Sequence, residues 1–152
     1  MEPYFKRFLF KVGSKPTGDY VYTKDRVSVF GALGEEDFYY ETTEKYCNWK
    51  NWLKFVINLL KKYGKIVIII DGASYHFQKK HVQNFYDYND KNLVVFQLPP
   101  YSPELNPIEQ FWEPVKEHLA NTNWFTKKKF KEKLIEGLET CTKPKLYDYY
   151  LR

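Results

Sequence analysis

The sequence predicts an α/β fold: a mixed sheet with an antiparallel meander and parallel strands, with helices packed against it. Three observations carry this. Two short alternating stretches near residues 26–43 read as a hairpin. Two apolar runs, "KIVIII" (65–70) and "NLVVFQL" (92–98), read as buried strands, and a helical pattern lies between them. Three segments with apolar residues at helical spacing cover much of the remainder. Strands alternating with helices in this order make a layered α/β domain.

The elements follow in order. Residues 5–12, "FKRFLFKV", read as a strand, and "GSKPTGD" (13–19) as a loop punctuated by glycine and proline. "RVSVFGAL" (26–33) alternates Val27 and Val29 with polar neighbours, "GEE" turns, and "DFYYETT" (37–43) returns. In "NWKNWLKFVINLLKKYG", Trp49, Trp52, Leu53, Val56, Leu60 and Tyr63 recur at helical spacing. Asn48 suits the N-cap, Lys61 and Lys62 the last turn, and Gly64 the stop. "KIVIII" is apolar at nearly every position, as expected of a strand buried on both faces in parallel pairing. "FQKKHVQNFYDY" (77–88) predicts one helix. A helix from about Pro107 places Ile108, Phe111, Trp112, Val115 and Leu119 on one face, and a last one runs from about Thr126 to Thr140.

Composition narrows the function. The chain has 152 residues, enough for one domain with a real core, and 20% are aromatic. The net charge of +5 fits a nucleic-acid partner without requiring one. Cys47 and Cys141 have no metal-type spacing and no disulfide framework, which suits a reducing compartment. The run "IVIII" is too short to span a bilayer. "MEPYFKRFLFKVG" has no apolar core of a leader peptide. The expectation is a cytoplasmic protein with no membrane partner.

Two carboxylates stand out. Asp71 follows an apolar strand directly, where open α/β sheets bind ligands. Gly72 beside it lets backbone or ligand approach. A plain Asp-Gly hairpin turn is the alternative, but the residues that follow look helical. Glu109 has two readings. With Asn106 as N-cap and Pro107 opening the helix, it fits a near capping box. Equally, it follows a sheet strand and can face the same crevice as Asp71. Convergent carboxylates there would hold Mg²⁺ or Mn²⁺, and two such ions ~4 Å apart support phosphodiester cleavage. His76 can orient a ligand or be a locally bonded buried histidine. Glu104 reads as a loop charge and Glu113 as a reserve acid. Lysines cluster at 61–65, at Lys79 and Lys80, and at Lys127, Lys128 and Lys129. Singly these are solvated helix faces; together they form a surface for phosphates. Trp124 beside the last cluster can stack or pack.

"IIIDGASYH" and "LPPYSPELNPIEQFW" together resemble the catalytic domain of DDE transposases, and more narrowly the Tc/mariner superfamily with its bacterial and archaeal insertion-sequence enzymes. The family has an Asp-ended strand with a histidine soon after. A Leu-Pro-Pro-Tyr-Ser-Pro-x-Leu-Asn-Pro-Ile-Glu loop follows, then a helical Trp. Here 37 residues separate Asp71 from Glu109, close to the family's interval. The likeness covers roughly residues 10–140. It implies an RNase H-like fold, a site for two Mg²⁺ or Mn²⁺ ions, and cutting and strand transfer at transposon ends. Asp71 and Glu109 match the second and third acids of the triad, with His76 and Asn106 in support. Lys79, Lys80, Lys127, Lys128 and Lys129 would then contact DNA.

Four departures bear on this. The first family aspartate would fall before Met1. "FKRFLFKV" holds no acid, and Asp19 and Asp25 lie in the wrong region. The family's N-terminal helix-turn-helix domain has no counterpart here. Gly72 replaces the usual Asn, and Pro114 should kink its helix. The reading is a single partial catalytic domain over residues 1–152, with its first strand missing or replaced. On this reading the chain is inactive alone and is nucleoid-associated in a prokaryotic cell. Replacement of that strand by residues 4–12, self-association, assembly with the missing N-terminal part, or a marginal fold are the expected consequences. A non-catalytic DNA- or transposase-binding module, or a free-standing RNase H-like nuclease, are the other readings.

Overall fold

The computed structural model describes residues 27–77, 79–120 and 126–146. The strand expected at 5–12, the loop at 13–19, Asp19, Asp25 and Trp124 lie outside the described residues. The architecture is a mixed α/β fold consistent with the RNase H-like class. Strand β1 (Ser28–Leu33) pairs antiparallel with β2 (Phe38–Thr43), Gly31 facing Tyr40. Helix α1 (Trp49–Tyr63) follows. Strand β3 (Ile66–Ile70) pairs in parallel with β4 (Leu93–Gln97), Ile68 facing Val95. Between them run α2 (Ser74–Phe77) and α3 (Lys80–Tyr88). Helices α4 (Pro107–Ala120) and α5 (Lys127–Thr140) close the described chain. Among the described residues no helix is long and apolar enough to cross a membrane.

Helix α1 is set by its ends and its face. The Asn48 side chain accepts from the Lys50 and Asn51 amides at 2.9 and 3.1 Å. Gly64 stops the helix at φ 76°, a left-handed conformation that a Cβ would strain. Its buried stripe is Trp52, Phe55, Val56 and Leu59. This stripe touches both strand pairs: Phe30 of β1 on one side, Ile70 and Leu93 of β3 and β4 on the other. The hairpin turn is tied to the end of α1, where Asp37 accepts from Lys62 and Tyr63. Midway along it, Asn58 donates to Glu41 at 2.8 Å.

The second core lies on the opposite face of the β1–β2 pair. Phe111, Val115 and Leu119 of α4 meet Leu134 and Leu138 of α5 over Val27. Phe111 is fully buried, its ring 4.7 Å from that of Phe38. Gly31 is required here, since a Cβ would stand 2.8 Å from the Trp112 ring. Thr126 caps α5 by accepting from the Lys129 amide. Helix α4 runs on through Pro114.

Two expectations are corrected. Among the described residues strands β3 and β4 are covered on one face: Val67 is 65% and Phe96 57% exposed, with Ile69 and Val94 beside them. An all-apolar run reads the same whether one face or both are covered. The helix expected over 77–88 is instead two, α2 ending at Phe77 and α3 starting at Lys80. The helical path is broken at Lys79, the N-cap of α3, whose backbone is extended at φ −102° and ψ 128°.

Replacing Phe111 by Ala should destabilise the fold by about 3–5 kcal/mol, read by urea denaturation. A loss below about 1 kcal/mol would mean that this second core is not cooperative with the rest.

Candidate functional site

Asp71 leaves β3 at its carboxyl end. The pairing continues one step further, with the Leu98 amide donating to the Ile70 carbonyl at 2.8 Å. The Asp71 side chain therefore projects just past the last paired rung. No hairpin forms. Instead Asp71 Oδ1 accepts the Ala73 amide at 3.0 Å, and α2 begins at Ser74. Gly72 is not sterically needed: a Cβ would make only an ordinary contact with Gln97 at 3.6 Å.

His76 returns to Asp71 from the first turn of α2. Its Nδ1 lies 3.1 Å from Asp71 Oδ1 and 3.3 Å from the Asp71 carbonyl oxygen. The imidazole is buried, 4.2 Å ring to ring from Trp52 and 4.4 Å from Tyr75. A chain of hydrogen bonds fixes its backbone: Trp52 Nε1 donates to Tyr86 Oη at 2.7 Å, and Tyr86 Oη donates to the His76 carbonyl at 2.9 Å. The His76 hydrogen bond, helped by the Ala73 amide, lowers the Asp71 pKa against the opposing effect of burial. Asp71 is thus held ionised and aimed, while half its side chain stays open to solvent.

Glu109 comes from the first turn of α4. The approach is stiffened by Pro99, Pro100 and Pro103, with a short 3₁₀ turn at Pro103–Leu105. Asn106 ends that turn, and its carbonyl accepts the Glu109 amide at 3.0 Å. Burial raises the Glu109 pKa, the charge of Lys116 lowers it, and the charge of Asp71 raises it again. The charge of Asp71 thus reaches Glu109, though it is the smallest of the three effects. The two acids also line one cleft, together with His76 and Asn106.

Lys79 and Lys80 are exposed where α3 begins, and Lys128 and Lys129 where α5 begins. Lys127 is engaged with Glu44 at 2.8 Å. Glu104 is an exposed loop charge, and Glu113 is exposed on α4. Among the described residues no group of three or more His, Cys, Asp or Glu side chains is assembled to hold a metal ion.

The sequence pattern alone missed two residues. Lys116 tempers Glu109 from two turns along α4, a spacing that places both on one side of the helix. Tyr101 stands fully exposed at the tip of the proline loop with φ 57°, a strained value for a tyrosine. Its signal was the position between Pro100 and Ser102 in a loop that cannot fold back into a strand.

Comparison with known proteins adds the family. The model of the DDE superfamily endonuclease family matches residues 2–131. The chain belongs to the DDE superfamily endonuclease family. As a family member it carries a transposase-like nuclease domain. It is also 33% identical over 66 residues to the uncharacterized protein y4pE/y4sA of Sinorhizobium fredii (strain NBRC 101917 / NGR234). That match covers 43% of this chain and 41% of the other. The chain thus spans well under half the length of this curated relative.

The two acids should answer pH in opposite ways. A depressed carboxylate adds stability above its unfolded pKa, and that stability is lost as pH falls through the folded value. Asp71→Asn should therefore lower the melting temperature at pH 7 and cost progressively less as pH falls through the depressed Asp71 pKa. A raised carboxylate is the reverse, its penalty being present when ionised. Glu109→Gln should raise the melting temperature at pH 7, with the gain shrinking as pH falls through the raised Glu109 pKa. Thermal melts of both variants across that range check the signs.

Proposed function

We propose that this chain is part of a Tc/mariner-type DDE transposase catalytic domain, of the insertion-sequence kind, acting on DNA in the cytoplasm of a prokaryotic cell. The family membership of residues 2–131 supports the nuclease class. The single observation that carries the site is the shared cleft that Asp71 and Glu109 line together.

The donor chemistry fits a hard divalent cation. Two carboxylates repel across one cleft, and oxygen-only donors suit Mg²⁺ or Mn²⁺. Asp71 and Glu109 would hold the metal, which when bound supplies Lewis acidity for phosphodiester cleavage. His76 does not touch the substrate in this scheme. It keeps Asp71 ionised and fixed, so the carboxylate loses little freedom on binding. Asn106 and the proline loop set the start of α4 and hence the aim of Glu109. Among the described residues Asp71 and Glu109 are the acids brought to this end of the cleft, and this reading, in which the chain is inactive alone, calls for a third.

The DNA surface on this reading includes Lys79, Lys80, Lys128 and Lys129. Their placement supports it. They stand at helix N-termini, where the dipole disfavours cations by ~0.3–1 kcal/mol each and favours phosphates. No acidic residue offsets them in the first turn of either helix. A non-catalytic DNA-binding module is the second reading, favoured by the same exposed lysines.

Titration calorimetry with Mn²⁺ tests the site. Binding to the wild-type chain that is lost in Asp71→Ala and weakened in Glu109→Gln is the expected result. No binding to the wild type would sink the assignment. Robust cleavage of DNA by the chain alone, abolished by Asp71→Ala, would overturn the incomplete-site reading. Salt-dependent DNA binding should weaken in Lys128→Glu/Lys129→Glu. If it survives loss of both carboxylates while no metal binds, the second reading takes precedence.

A further inference from the structure

Strand β4 ends on Gln97, which stands opposite Ile70 in the parallel register. The next amide, that of Leu98, donates to the Ile70 carbonyl at 2.8 Å. Pro99 and Pro100 follow at once and restrict the backbone beyond it. Gln97 is therefore the last side chain of β4, carried on a fixed stretch of backbone. It lies level with the point where β3 gives way to Asp71 and Gly72.

The Gln97 carboxamide reaches across to Gly72. A Cβ at Gly72 would stand 3.6 Å from Gln97 Nε2. Gly72 does not adopt the left-handed φ that favours glycine. What glycine provides here is room, since a longer side chain at residue 72 would compete with the amide for the same space. The family pattern has Asn where this chain has Gly72. A carboxamide is thus still present beside Asp71, supplied from the neighbouring strand.

We infer that Gln97 is a substrate-contact residue: its carboxamide, standing in the space that Gly72 leaves open, donates to a phosphate oxygen of DNA held beside Asp71. The inference rests on the reading that Asp71 and Glu109 hold a divalent cation, which offsets their charge and lets a phosphate approach.

The chemistry of the donor suits the place. Asp71 is ionised and half open to solvent. A lysine at residue 97 would pair with it and compete with the cation. A carboxamide carries two N–H donors and no charge, so it bonds a phosphate oxygen and leaves Asp71 free for metal. The Gln97 side chain is exposed, and among the described residues no hydrogen bond ties its amide down. A neutral donor on fixed backbone, aimed at the place where a phosphate oxygen gathers charge, needs little rearrangement to act.

The test is the affinity of the full chain for a fluorescein-labelled DNA duplex, read by fluorescence anisotropy with and without Mn²⁺. Gln97→Ala should weaken binding in Mn²⁺ about tenfold, the worth of one hydrogen bond to a charged group, and change it little without the metal. Calorimetric Mn²⁺ affinity and the melting temperature should stay at wild-type values, which a merely structural role would not allow. Gln97→Glu sets an acid against the phosphate and should weaken Mn²⁺-dependent binding at least as much. Gly72→Asn in the Gln97→Ala background should restore most of the lost affinity, because it returns a carboxamide to the same space. Wild-type DNA affinity in Gln97→Ala or Gln97→Glu, or no recovery in Gly72→Asn/Gln97→Ala, would overturn the inference. If the wild type binds Mn²⁺ while Gln97→Ala keeps full DNA affinity, this inference fails alone. If the wild type binds no Mn²⁺, the metal reading fails and takes the inference with it.

Discussion

The packing of one helix face across two strand pairs holds this molecule in register. Among the described residues β1–β2 and β3–β4 do not hydrogen-bond to each other, so α1 supplies their common frame. Trp52, Phe55, Val56 and Leu59 are each almost wholly buried, in one cluster with Phe30 of the first pair and Ile70 and Leu93 of the second. Phe30 stacks on Phe55 at 5.6 Å, while Trp52 reaches across to His76. A polar link completes the frame, because the Trp52 indole N–H ends on Tyr86, which bonds the His76 backbone. Buried polar atoms in this layer are thus satisfied within it. The position of Asp71 is then a consequence of α1 packing, transmitted through one imidazole.

The two acids are held under opposite electrostatic conditions. Asp71 receives hydrogen bonds and stays easily ionised; Glu109 is desolvated and feels Asp71 as a like charge. Folding this pair costs free energy that a fully relaxed surface would not spend. Such local conflict is typical of sites that await a ligand of opposite charge. The lysines at the starts of α3 and α5 repeat the pattern with the opposite sign, since they oppose the helix dipoles there.

Much of the fold was legible because local rules agreed with tertiary ones. Asn48 and Gly64 bracket α1 as their chemistry requires, and the hairpin turns where glycine and acids cluster. Asp71 and Glu109 could be paired from the loop and strand that carry them. What could not be read depends on distance in space. The exposure of Val67, Ile69, Val94 and Phe96 among the described residues follows from which helices pack where, and an apolar run is silent on that. The engagement of Lys127 by Glu44 joins residues 83 positions apart. The break between α2 and α3 falls at Lys79, whose extended backbone interrupts an otherwise helical pattern.

The arrangement of close neighbours also sets how the chain assembles. The tightest contacts join elements that are adjacent or nearly so in sequence: β1 with β2, α4 with α5, and β3 with β4 across a short helical crossover. Such local units close quickly, since little chain entropy is lost in each. The α1 interface that unites them is expected to mature after both strand pairs exist. Its contacts then belong to the late side of the folding barrier, so loosening them speeds unfolding more than it slows folding. The lifetime of the native state, rather than its rate of formation, is what the aromatic face of α1 governs.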